Sequence, residues 1–217
     1  MRKYVYLAMI AASAMAVGAP AAEAAPAVHV LTTGKAGGTA VKPGAVLKAG
    51  LATGSTATFS LAAKKVTCKT AAFSATATSN PNAPGTARES LTAQTFARCT
   101  ANIPRVTVTS VTVANLPYVV TVSDAKGDPV TVSGRTKTKP LTVTAKLKAG
   151  TVALTCTYAA ASITGHFSNA TNAVSFSKQK LTKSAGGKAC LPAVYFTATF
   201  GPVRDTSVTG SPKVFVN

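Results

Sequence analysis

From Ala57 on, nearly every segment alternates apolar and hydroxyl side chains with a period of two. Ala57-Thr58-Phe59-Ser60-Leu61, Phe73-Ser74-Ala75-Thr76-Ala77-Thr78 and Val106-Thr107-Val108-Thr109 all show it. Successive side chains of an extended strand point to opposite faces, so this pattern suits strands with one face buried and one face wet. Wet faces belong to antiparallel sheets, because parallel sheets are covered on both sides and read as continuous apolar runs. Ser110 shifts the phase before Val111-Thr112-Val113, the mark of a β-bulge. Further strands are expected at Tyr118 to Ser123, Val130 to Ser133, Leu141 to Leu147, Val152 to Tyr158, Ala173 to Ser177, Val194 to Phe200 and Lys213 to Val216. No 3.6-residue periodicity competes with them after the first 24 residues. The fold class expected is all-β: an antiparallel sandwich or barrel-like body.

Turn chemistry agrees. Asp124-Ala125-Lys126-Gly127-Asp128-Pro129 reads as a hairpin loop with glycine at a positive-φ position. Ser79-Asn80-Pro81-Asn82-Ala83-Pro84-Gly85 reads as a long polar loop, and Lys183-Ser184-Ala185-Gly186-Gly187-Lys188 as a second loop in a comparable place.

Residues 1 to 24 read as a cleavable signal peptide. Arg2 and Lys3 form the basic start, Leu7 to Val17 the apolar stretch, and Ala22-Glu23-Ala24 the small-x-small cleavage pattern. The apolar stretch is shorter than the roughly 20 residues a spanning helix needs. Residues 25–217 are then one secreted domain, and export makes disulfides the expected state of the four cysteines. Cys68 and Cys99 enclose 30 residues, and Cys156 and Cys190 enclose 33. Such gaps do not resemble the short spacings of a zinc site. Four cysteines allow three pairings. A repeat around them favours Cys68–Cys99 and Cys156–Cys190: Val66-Thr67-Cys68 resembles Leu154-Thr155-Cys156, and Leu47-Lys48-Ala49-Gly50 recurs as Leu147-Lys148-Ala149-Gly150. A duplicated β unit, with halves at about 47–115 and 147–217, is the expectation drawn from this repeat.

The full chain carries 23 Lys and Arg against five acids, a formal net charge of +18. That charge is a statement about partners. It attracts anionic extracellular polymers such as cell-wall phosphates, and it also keeps a Thr- and Val-rich surface soluble. The basic residues cluster only at Arg135-Thr136-Lys137-Thr138-Lys139 and Lys178-Gln179-Lys180, so Arg135, Lys137, Lys139, Lys178 and Lys180 are the candidate polyanion contacts.

Catalytic chemistry has little to draw on. Beyond the leader stand Glu89, Asp124, Asp128 and Asp205, with His29 and His166. General acid–base work needs such groups held together. His29 is expected in a mobile N-terminal tail, and Asp124 and Asp128 serve a turn. Gly186-Gly187-Lys188 lacks the spacing and following helix of a phosphate loop. Tyr118, Tyr158, Tyr195, Phe196 and Phe200 are the aromatics available for stacking, and Trp is absent. The expectation is no catalytic residue, no cofactor, no metal, no specific nucleic acid and no transmembrane segment in the mature chain.

With these strands, the two cysteine blocks and the Val214-Phe215-Val216-Asn217 end, the chain resembles small secreted β-rich proteins of actinomycetes that are described only by their signal sequence. That resemblance implies an exported β protein and no particular activity. The enediyne apoproteins are a looser parallel, also exported Thr- and Ala-rich sandwiches with two disulfides, but shorter and acidic. The functional expectation is a non-catalytic scaffold bound to the cell envelope or other anionic extracellular polymers. A protein–protein module using the loops at Pro81 to Gly85 and Lys183 to Lys188 is one alternative. A small-ligand- or carbohydrate-binding β body is another.

Overall fold

The computed structural model describes residues 27–217. The leader expected at 1–24 lies outside the described residues. Sixteen strands and no α-helix make up the described part: β1 (Leu31–Thr33), β2 (Thr39–Ala40), β3 (Val46–Gly50), β4 (Ala57–Leu61), β5 (Lys64–Ser79), β6 (Thr86–Ala101), β7 (Val106–Ala114), β8 (Tyr118–Ser123), β9 (Pro129–Ser133), β10 (Leu141–Ala149), β11 (Val152–Ala160), β12 (Ser162–Ser168), β13 (Ala173–Ala185), β14 (Ala193–Phe200), β15 (Arg204–Asp205) and β16 (Val214–Val216).

Eight of these strands close into an antiparallel barrel in the order β12-β9-β8-β6-β5-β4-β14-β13, with β13 returning to β12. Closure removes the unpaired edges that a Val- and Thr-rich open sheet would expose. Alternation drives it: Tyr118, Val120 and Val122 of β8 are buried while Val119, Thr121 and Ser123 are not, and β9 and β14 repeat the pattern. The inward residues meet in one core cluster that includes residues of both sequence halves. Phe59, Phe96, Phe176 and Phe196 form its aromatic part, with Phe59 centred 5.1 Å from Phe196 and 5.3 Å from Phe96.

Two long strands, β6 and β13, carry the sheet past the barrel. Thr86 to Leu91 of β6 pairs with β8, whereas the rest of β6 runs beside β7 without a ladder. Ala173 to Phe176 of β13 pairs with β12, and Thr182 to Ala185 pairs with β11. Between them Lys178 adopts φ 48°, and the register against β14 slips between Phe176 and Gln179. This bulge lets one strand change partner. The sheet then continues as β11-β10-β7, a second level above the barrel. β1, β2 and β16 form a separate small sheet.

The bulge expected near Ser110 is present: Lys146 faces Ser110 and Leu147 faces Val108. Gly127 has φ 87° in the loop between β8 and β9. Both disulfides pair as expected. Cys68–Cys99 joins directly opposed residues of β5 and β6, and Cys156–Cys190 ties β11 to the loop before β14. Two expectations are corrected. His29 is not in a free tail: it forms a bridge with Asn82, and its Nδ1 lies 2.8 Å from the Asn80 carbonyl. The loop placed at Lys183 to Lys188 begins later, because β13 stays paired through Ala185 with β11.

Candidate functional site

Alternation that sends Val, Phe and Ala inward sends Thr, Ser and Lys outward. The barrel therefore has an apolar interior and a polar, cationic exterior, the reverse of a barrel whose strands face lipid. Among the described residues every Lys and Arg is exposed except Lys183 and Arg204, which are half-buried.

The four carboxylates behave oppositely. Asp205 is 2% exposed, and its Oδ1 accepts the Ser207 N–H at 2.9 Å. Asp124 is half-buried, and both its oxygens accept the Gly85 N–H, at 3.0 and 2.9 Å. Asp128 is half-buried in the β8–β9 turn, where burial first and the neighbouring Asp124 charge second raise its pKa. Glu89 is 8% exposed and points inward from β6. No carboxylate side chain is among the exposed residues from 27 to 217. The fully exposed charged side chains of residues 27–217 are therefore all cationic.

Among these cations the ladders line up a belt. Arg135, Lys137 and Lys139 occupy the tight turn between β9 and β10, where Lys139 N–H donates to the Thr136 carbonyl at 3.0 Å. That turn follows Ser133, which faces Ser162 at the start of β12. On the other side of β12, the Thr164 N–H donates to Gln179 Oε1 at 2.8 Å, holding the bulge of Lys178 and Lys180 against the same strand. The structure therefore brings both predicted basic runs next to β12, one through the turn that follows the Ser133–Ser162 pair and the other through the Thr164–Gln179 bond. Lys180 then faces Tyr195, Tyr195 faces Ser60, and Ser60 faces Lys65 across β13, β14, β4 and β5. Directly opposed residues share a face, so the belt wraps outside six of the eight barrel strands, an arc of about 24 Å. Lys65 was not singled out by sequence, and Tyr195 was considered only as a stacking aromatic. Only the strand register places them beside Lys180.

Of the aromatics considered for stacking, Tyr118, Tyr158, Phe196 and Phe200 are buried, and burial raises the pKa of both tyrosines. Tyr195 alone of the five remains half-exposed, in the belt. His166 is exposed and lies across from Pro129; its Nδ1 is 3.0 Å from the Gly127 carbonyl. Among the described residues no group of three or more His, Cys, Asp or Glu is placed to hold a metal ion.

The interior holds a cavity of about 110 Å³ lined by barrel residues including Phe59, Leu91, Phe96, Val120, Val132 and Ile163, with Glu89 among them. Burial alone pushes the Glu89 carboxyl up to about 7. Comparison with protein-family models, curated proteins and solved structures finds no match to this chain.

Proposed function

We propose that this chain is a secreted, non-catalytic barrel that associates with anionic extracellular polymers through its outer surface. One observation carries the reading: all four carboxylates of residues 27–217 are buried or half-buried, while almost every Lys and Arg is exposed. A surface that needed charge only for solubility works with both signs interspersed. With only the half-buried Asp124 and Asp128 left to repel it, a polyanion meets mostly cations, and a polymer with spaced phosphates can follow the belt across several strands. Two disulfides are compatible with an extracellular setting. No helix among the described residues is long and apolar enough to cross a membrane.

The test is retention on isolated, phosphate-rich cell wall at low salt. Changing Arg135, Lys137, Lys139, Lys178, Lys180 and Lys65 to Gln should lower retention more than changing six cations elsewhere. Equal retention of the unaltered and belt-neutralised proteins would contradict the proposal.

A further inference from the structure

The charged exterior makes no use of Glu89. In β6, Ala87, Glu89 and Leu91 share the inward face, and Glu89 lies directly between Ala77 of β5 and Val120 of β8. Its side chain enters no hydrogen bond with the described residues, and no side-chain polar atom among them is both fully enclosed and unpartnered, so the Glu89 carboxylate borders the cavity and is not sealed among packed side chains. Leaving a buried carboxylate without a partner is costly, and buried acids are normally paired or hydrogen-bonded. An apolar residue here would fill the barrel at less cost. A carboxylate facing a void therefore marks the place of a complementary group.

We infer that the barrel interior binds a small primary alkylammonium ion, with its apolar body in the cavity and its ammonium on the Glu89 carboxylate. Size bounds the ligand. A dry apolar cavity of about 150 Å³ takes up benzene, so the 110 Å³ here admits a branched or straight chain of about five non-hydrogen atoms. The chemistry follows from the lining: Glu89 is its one charged group among Phe, Leu, Val and Ile side chains, while Gln94, Tyr118 and Thr142 already donate to backbone carbonyls, and this suits one cationic donor on a hydrocarbon. The reaction balances as a neutral Glu89 carboxyl plus R–NH3+ giving the carboxylate–ammonium pair plus one proton released to solvent. Proton release is largest near pH 6, where the buried carboxyl is mostly protonated, and fades by pH 8.5.

Isobutylammonium is the probe. Calorimetric titration at pH 6 in two buffers of different ionisation enthalpy should show saturable binding, with a Kd of roughly 0.1–1 mM for so few atoms, and release of close to one proton. Glu89→Gln should weaken binding roughly 10- to 100-fold, the range for a hydrogen bond to a charged group, and abolish the proton release. Xenon uptake, followed by its NMR shift, should persist in Glu89→Gln and so show that fold and cavity survive. No saturable isobutylammonium binding, or equal affinity in Glu89→Gln with xenon still bound, would overturn the inference. Loss of xenon binding in the unaltered protein would overturn it too, by removing the cavity.

Discussion

Glu89 gives the sharpest handle on the barrel interior, and its effect on stability runs against the usual direction for a carboxylate. Burial raises its folded-state pKa from the ordinary 4.5 to about 7. Below pH 4.5 the group is neutral in both folded and unfolded chains and imposes no penalty. As pH rises from 4.5 to 7 the unfolded chain releases this proton while the folded one keeps it, so stability falls; above 7 the penalty is complete and constant. A difference of about 2.5 pH units corresponds to about 3 kcal/mol at 1.36 kcal/mol per unit. Glu89→Gln keeps the shape of the neutral acid and removes the titration. The variant should melt close to the unaltered protein at pH 4 and roughly 6–12 °C above it at pH 8, taking 2–4 °C per kcal/mol for a chain of this size. Thermal unfolding followed by circular dichroism at the two pH values measures this. All groups other than residue 89 are common to both proteins and cancel in the comparison. A melting difference that is the same at pH 4 and pH 8 would refute the reasoning, because the carboxyl would then not be desolvated.

Two further outcomes probe the scaffold. Replacing Cys156 and Cys190 together by Ala should destabilise by roughly 3–4 kcal/mol on the chain-entropy account for a loop of this length, and limited proteolysis should then cut first between Gly186 and Pro192; unchanged cleavage would mean the bridge does not hold that loop. Gly165 lies in the seam where β12 meets β13, and a Cβ there would come within 2.5 Å of the Ser175 carbonyl oxygen and 2.8 Å of the Phe176 ring. Gly165→Ala should therefore cost about 1–3 kcal/mol by overpacking, read as a lower melting temperature, whereas an unchanged one would show that the seam is looser than described.

Much of the fold was legible because the alternation is strong. Ala57 to Leu61 and Tyr118 to Ser123 form strands at the expected bounds, and the cysteine pairing followed from the repeat around it. β6 escaped notice because Glu89 interrupts the inward face between Ala87 and Leu91, so a charged residue stands where the alternation calls for an apolar one. Closure into a barrel was not legible either. It depends on β13 changing partners at Lys178, a non-glycine residue with positive φ that period-two reading cannot flag. The candidate site was half legible. Composition gave the excess of cations, but the withdrawal of every carboxylate from the exposed surface needs the burial of particular residues. The cavity beside Glu89 needs the three-dimensional neighbours of β6.

The most direct test of the account is the salt dependence of binding to a defined linear polyphosphate. Association through many exposed cations should be tight at 50 mM NaCl and fall steeply, by at least about tenfold on reaching 200 mM, because multiple phosphate contacts release condensed counterions. The belt-neutralised variant should show a weaker affinity and a shallower slope. Absence of binding at 50 mM, or an affinity indifferent to salt and to the belt lysines, would contradict the claim that the outer surface of this barrel is built to hold a polyanion.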